Sequence, residues 1–262
     1  MNHPKSNPAR PTKSQPTLTL RSNNSWAYLR ATRFISRPGH ADQLHLDLWW
    51  RGLNLAQDAG TYLYNAPPPW DNSFTRTSVH NTLTANGQEQ MSRLSRFLYV
   101  GWAQAEILAW DPTRNRIVAQ HDGYRRLGLV HRRSVEYRQG YWMVSDRLLP
   151  IQARRRPGGA PVTARLHWLL PDWPWEIKPE KDQIVLSVES PEGPVHLTIS
   201  GRDSLRAGLV RAGEWIYGEG PMEPSWGWTS PTYGYKIPAL SFSVWLSSLP
   251  PLEITSEWAL QG

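Results

Sequence analysis

The sequence has no cysteine among its 262 residues, which excludes a disulfide framework and any thiolate metal site. It also lacks a long apolar run. Its hydrophobic residues, 39% of the chain, come in short bursts, and none approaches the ~20 consecutive apolar residues that a membrane-spanning helix needs. The opening stretch, MNHPKSNPARPTKSQPTLTL, has no apolar segment of the secretory type. Acidic residues are missing from residues 1–30, which hold Lys5, Arg10, Lys13, Arg21 and Arg30, so most of the formal net charge of +7 belongs to this segment. The near-balanced remainder is unlike a nucleic-acid-binding domain, and no nucleic-acid or membrane partner is expected. Residues 1–16 read as a disordered basic tail, and 17–262 as one domain.

Phenylalanine is scarce at 4 residues, against 15 Trp and 10 Tyr. Most of these amphipathic rings are expected to pack in the interior with a polar edge satisfied, and some to serve as platforms for sugar faces. Extended helical periods are also lacking, and 23 prolines are scattered along the chain. Short Val-, Ile-, Thr- and aromatic-rich segments alternate instead with Gly, Pro, Asn and Asp. This patterning predicts strands at 26–34, 44–50, 53–58, 79–85, 97–109, 116–121, 127–137, 141–149, 162–170, 183–188, 195–199, 209–211, 214–218, 240–246 and 252–258. The fold class that follows is all-β, a large antiparallel two-sheet β-sandwich. Arg154–Pro161 (RRRPGGAP) reads as a flexible loop between two strands.

One hairpin can be read residue by residue. Leu44, Leu46, Leu48 and Trp50 alternate with His45, Asp47 and Trp49, and a two-residue turn at Arg51-Gly52 leads into Leu53–Asp58. A regular ladder would pair Trp50 with Leu53, Leu48 with Leu55 and His45 with Asp58. The leucines then face the core, and His45, Asp47 and Asp58 share the opposite face.

Residues 36–90 hold the densest chemistry: His40, Asp42, His45, Asp47, Asp58, Tyr62, Tyr64, Asn65 and His80. Imidazoles with a carboxylate are the ligands zinc takes in a cysteine-free protein. The spacing matches no short metal motif, and by itself it is equally compatible with histidines hydrogen-bonded in a sheet. His121, His131 and His167 sit within strand patterns and read as structural.

The stretches GHADQLHLDLWWRGLNLAQDAGTYLYN and VHNTLTANGQEQM resemble the opening of the heparinase II/III-like C-terminal domain. HDGYRRLG, HRRSVEY, LHWLLPDWPWEI and SPTYGYKIPALSF continue the resemblance in order, over roughly residues 26–262. The resemblance implies a metal site for zinc or a similar divalent ion, held by His40, Asp58 and His80. His45, opposite Asp58 in the hairpin register, remains a rival for His40. It also implies β-elimination on a uronate-containing, acidic polysaccharide, and in this chain Tyr64 is the candidate catalytic phenol, with Tyr62, Asn65, Arg76 and Asn81 as candidates to line the substrate cleft. The family's helical toroid has no counterpart before residue 26, and Pro38 stands where some relatives carry a second catalytic histidine. The expectation is therefore a metal-binding β portion of a lyase that works with a separately encoded helical half. The alternative is a non-catalytic carbohydrate-binding module.

Overall fold

The computed structural model describes residues 17–151 and 160–261. The expected basic tail and most of the RRRPGGAP loop lie outside the described residues. No helix among the described residues is long and apolar enough to cross a membrane.

Among the described residues the regular elements are strands, and the helical ones are 3-10 turns. β1 (Leu18–Arg21), β2 (Ser25–Leu29), β3 (Leu46–Trp50) and β4 (Leu53–Ala56) form a four-stranded antiparallel meander. After β5 (Leu83–Ala85) comes a detached hairpin, β6 (Ser92–Ser95) and β7 (Leu98–Val100). The chain continues through β8 (Ala105–Asp111), β9 (Arg116–His121), β10 (Leu129–Arg138), β11 (Tyr141–Pro150) and β12 (Val162–Pro171). β13 (Trp175–Pro179), β14 (Gln183–Ser190), β15 (Gly193–Gly201), β16 (Leu205–Arg211) and β17 (Glu214–Tyr217) follow. β18 (Trp228–Thr232), β19 (Tyr235–Ser248) and β20 (Leu252–Leu260) close the sequence of elements. An eight-stranded sheet runs β13-β14-β15-β20-β11-β10-β9-β8, and a six-stranded one includes β17-β16-β19-β12-β5 with β18 on β19.

The sandwich expectation holds. The main apolar core takes side chains from the four-, six- and eight-stranded sheets alike. Period-2 burial in β10, β14, β15 and β20 shows one face of each strand turned inward. Trp168 on β12 and Trp258 on β20 meet edge to face at 5.2 Å, joining the six- and eight-stranded sheets through two fully buried rings. The four-stranded meander is the layer that the two-sheet expectation did not anticipate.

β12 departs from the period-2 pattern because it is buried on both faces. Ala164, Leu166, Trp168 and Leu170 enter the main core. Arg165, His167 and Leu169, on the other face, lie under the segment around residues 78–81. That cover positions the candidate site.

The expected hairpin forms with a correction to its register. Arg51 and Gly52 both take positive φ, at 48° and 84°, as a two-residue turn between twisted strands requires. Trp50 pairs with Leu53 and Trp49 with Asn54, but the ladder then slips and Leu48 pairs with Ala56 instead of Leu55. The extra residue lets Leu55 and Ala56 both be buried. Leu44 adopts a left-handed φ of 59°, so β3 starts only at Leu46 and His45 has no ladder partner. Other boundaries move as well, and the strand expected at 26–34 stops at Leu29. The strand expected at 79–85 is a 3-10 turn over Thr77–Val79 followed by β5, and that expected at 97–109 divides into β7 and β8. β1, β6, β13 and β18 were not foreseen. They are short, and β1, β6 and β13 lie at sheet ends where fewer apolar residues are needed.

Candidate metal centre and cleft

The site is assembled from three non-regular segments, 40–45, 57–60 and 77–81, whose backbone groups must be satisfied by side chains instead of a ladder. Gln43, fully buried, does this for the first. Its Oε1 accepts from Thr32 N at 2.9 Å, and its Nε2 donates to Thr32 O at 2.6 Å and Ala103 O at 2.8 Å. Gln90 pairs with the Gln43 backbone in the same two-sided way, at 2.8 and 2.9 Å. The hydroxyls of Thr77 and Thr82 donate to Ala41 O and Gln43 O, tying the segment at 77–82 to the loop at 40–45.

His80 is fully buried at the centre. Its carbonyl accepts from His167 Nδ1 at 2.9 Å, and the ring of His167 accepts in turn from Ser241 Oγ at 2.8 Å. Arg165 donates to Ser78 O at 2.8 Å, so β12 supports the segment on both sides of Val79. Asn81 uses every polar group it has. Its N–H donates to His45 Nδ1, its amide to Leu46 O and Gln57 O, and its Oδ1 accepts from Leu169 N at 2.7 Å. Asn81 was expected among the substrate contacts. It is fully buried instead, and its polarity is spent on holding these segments together.

The geometry brings His40, His45, Asp58 and His80 into one cluster. The rings of His40 and His45 each lie 5.4 Å from that of His80. His80 Nδ1 donates to Asp58 Oδ2 at 2.9 Å, while Asp58 Oδ1 accepts from Gly60 N at 2.6 Å. Two triads have ligand atoms within 4.8 Å of one another, His40–Asp42–His80 and His45–Asp58–His80, and His80 is common to both. Burial lowers the proton affinity of His80, but the neighbouring Asp58 carboxylate overcomes this and leaves it raised. Burial likewise works against ionised Asp58, and His80 with His45 and the Gly60 N–H hold its carboxyl well below the usual range. His40 is pushed down by burial and by His80.

Tautomers separate His80 from His45 chemically. With its proton on Nδ1, His80 carries a lone pair on Nε2, a buried atom with no partner. His45 is the reverse. Its Nδ1 accepts from Asn81 N at 3.0 Å, so in the neutral ring the proton sits on Nε2, 3.6 Å from both Asp47 Oδ1 and Asp58 Oδ2. His45 can orient those carboxylates but has no lone pair to offer an ion. Asp42 is paired with Arg30 at 2.8 Å, whereas the Asp58 side chain remains 37% exposed. Two imidazoles and a carboxylate with an open side suit a divalent ion.

The other expected residues lie elsewhere. Asn65 and Arg76 line a groove of about 880 Å³ together with Arg93, Arg96, Arg125 and Arg126, opposed by Asp71 and Glu89. Arg96 donates to Asn65 Oδ1 at 2.9 Å, and Arg76 pairs with Glu223 at 3.7 Å. Tyr64, 44% exposed, stands against Phe97 and Tyr233 at ring separations of 5.6 and 5.0 Å, and Phe97 also lines the groove. Tyr62 is half-buried against Trp70 and Phe74. The sequence reading missed Gln43, Gln90, Arg133 and Arg165, whereas it read His167 as structural, as its bond to the His80 carbonyl makes it. The signal of the missed residues was polar residues inside otherwise apolar strands or inside the His- and Gln-containing segments.

Known proteins share this architecture. A heparin-sulfate lyase of Bacteroides stercoris is 24% identical over 235 residues, covering 84% of this chain and 30% of that enzyme. A solved heparinase III superposes with a TM-score of 0.69 at 18% identity, over 97% of this chain and 37% of that one. The heparan sulfate lyase HepC of Pedobacter heparinus gives 0.64 at 19% identity, over 91% and 34%. The chain thus spans about a third of the length of these relatives. With the heparinase II/III-like C-terminal family profile matching residues 17–248, the chain belongs to that family.

Proposed function

We propose that this domain is the metal-bearing wall of a polysaccharide lyase that cleaves uronate-containing polysaccharide by β-elimination. The observation that carries the reading is the buried, unpartnered Nε2 of His80, on a ring whose Nδ1 is held by Asp58 and which lies 5.4 Å from that of His40, in a chain of lyase-like fold. His40, Asp58 and His80 are assigned as ligands of zinc or a similar divalent ion, with His45 orienting the carboxylate. Such an ion would supply a fixed positive charge and tie together three segments that no strand ladder joins.

In β-elimination a base removes the C5 proton, the C4–O4 bond breaks as the C4–C5 double bond forms, and O4 leaves with a proton. The arginine-rich groove supports an acidic substrate, with Arg76 and Asn65 assigned to its carboxylate and hydroxyls. Tyr64 at the rim is assigned as a phenol serving the proton transfers, and Tyr62 backs that wall. His80, with one nitrogen on Asp58 and the other assigned to metal, is not free to act as the base. The base is assigned to a helical module, in the same polypeptide or separately encoded.

Two measurements test this reading. Elemental analysis of the dialysed protein is expected to find ~1 equivalent of metal, lost in His80→Ala. The purified chain alone, assayed for unsaturated uronate against heparan-type and alginate-type polymers, is expected to show no sustained turnover. A fully loaded His80→Ala protein overturns the ligand assignment. Robust, metal-independent turnover abolished by Tyr64→Phe overturns the need for a helical partner.

A further inference from the structure

A second cavity, of about 400 Å³, opens beside the other end of the same buried strand face, where β12 carries Arg165. Arg165 is 5% exposed, and its guanidinium lies 3.8 Å over the ring of Trp226. Nε donates to Ser243 Oγ at 3.0 Å and Nη1 to Ser78 O, but Nη2 has no partner. No carboxylate lies within ion-pair distance of this guanidinium among the described residues. Two more cavity-lining residues, Trp226 and Ser78, hold a buried Nε1–H and a hydroxyl without partners. Three unmatched buried donors around one cavity call for an acceptor, because a buried donor left without one keeps its full desolvation penalty.

Charge narrows the choice of acceptor. Arg206 lines the cavity, exposed to solvent and lying 4.3 Å over Trp245. Of the two acidic residues there, Glu223 is turned to Arg76 at 3.7 Å, and Glu89 accepts from Thr77 N. Arg165 and Arg206 against Glu89 leave one positive charge uncompensated. The strongest matching acceptor is an oxyanion with two oxygens, which a guanidinium and an indole N–H can share.

We propose that the Arg165 cavity is a carboxylate-binding site, separate from the His80 cluster and sized for a single uronic acid residue. The uronate as carrier of the carboxylate rests on the polysaccharide reading above. The carboxylate site itself rests only on the unmatched donors and the charge balance. Thr84 and Thr163 line the cavity and offer hydroxyls to the ring of such a sugar.

The probe is methyl glucuronide, with methyl glucoside as the neutral counterpart and acetate and inorganic sulfate as free anions. The readout is the indole N–H resonance of Trp226 in a nitrogen-15 NMR titration of the full chain, identified by its loss in Trp226→Phe. Methyl glucuronide is expected to shift this resonance saturably, and methyl glucoside to leave it unmoved. Arg206→Ala, at an exposed position and expected to fold, should weaken the glucuronide several-fold, and Arg206→Glu should abolish its effect. A stronger response to glucuronide than to acetate supports a sugar-borne carboxylate, and equal responses support a general carboxylate site. An unmoved resonance, an equal response to the glucoside, or a tighter response to sulfate overturns the proposal. His80→Ala should titrate like the unaltered protein, so failure of the metal reading leaves this result readable.

Discussion

The domain buries two histidine–aspartate clusters, and they are satisfied to opposite degrees. In the first, at His121, His131 and Asp146, every nitrogen is used. Gly123 N donates to His121 Nδ1 at 3.0 Å, and His121 Nε2 donates to His131 Nδ1 at 3.1 Å. His131 Nε2 then donates to Asp146 Oδ1 at 2.7 Å. Arg133 closes the chain with two bonds to the same carboxylate, at 2.7 and 2.9 Å, and its remaining amine holds Leu44 O and Asn81 O. One fixed direction of donation runs from end to end, so both rings are neutral and the chain needs nothing more. In the second cluster, at His40, His45, Asp58 and His80, two Nε2 atoms are buried without partners. The same residue types in the same domain thus make a strut where the hydrogen-bond count closes, and where it does not they leave the open nitrogen on which the metal proposal rests. The two are joined, because Arg133 clamps the carbonyls on either side of the second cluster.

Removing the carboxylate from the closed chain should have the largest effect. Asp146→Ala leaves Arg133 and His131 buried without their acceptor, and a loss of about 3–5 kcal/mol in urea denaturation is expected. A loss no greater than that of His80→Ala would break the contrast. In the open cluster, His80→Ala should cost metal-free protein only about 1–3 kcal/mol, since one nitrogen has no partner to lose. Metal should then raise the melting temperature of the unaltered protein and not of the variant. A melt unmoved by chelator would make the ion peripheral.

The pH dependence sharpens the comparison further. Burial pushes His121 and His167 well below the ordinary histidine range, and it lowers His131 and His40 as well. A group depressed in the folded state binds its proton more readily when unfolded, so its stabilisation is lost as pH falls below the unfolded value of about 6.5. His80 and buried Glu89 are raised and work in the opposite sense, but they are outnumbered. Thermal stability of metal-free protein should therefore fall between about pH 7 and pH 5, and a rise over that interval would contradict the neutral tautomers of the closed chain. The smallest effect is expected at the rim. Tyr64→Phe, at an exposed position, should stay within ~0.5 kcal/mol of the parent protein, as measured by urea denaturation.

The sandwich was legible because its strands carry a strong local signal. β9 was bounded correctly, and β10, β11, β12 and β20 nearly so, because long apolar alternations leave little choice of face. The hairpin turn at Arg51-Gly52 was legible for the same local reason. The slip at Leu48 was not, since a bulge is decided by whether Leu55 and Ala56 can both reach the core. His40, Asp58 and His80 were singled out by residue type and motif. Asn81 was misread because nothing in VHNT indicates that the asparagine points inward.

The sequence by itself determined an all-β chain, a core face for the hairpin at 44–58 and a short roster of titratable residues, because periodicity and residue chemistry are local properties. Only the tertiary structure decided which of those residues stay unsatisfied. His45 and His80 look alike in sequence. Asn81 N puts the proton of one on Nε2, and Asp58 frees the same atom of the other. Arg165 reads as an ordinary strand residue until Ser78, Trp226 and Ser243 close around it and leave one amine without a partner. Hydrogen-bond satisfaction is a sum over neighbours distant in the chain, and it exists only once the sheets have packed.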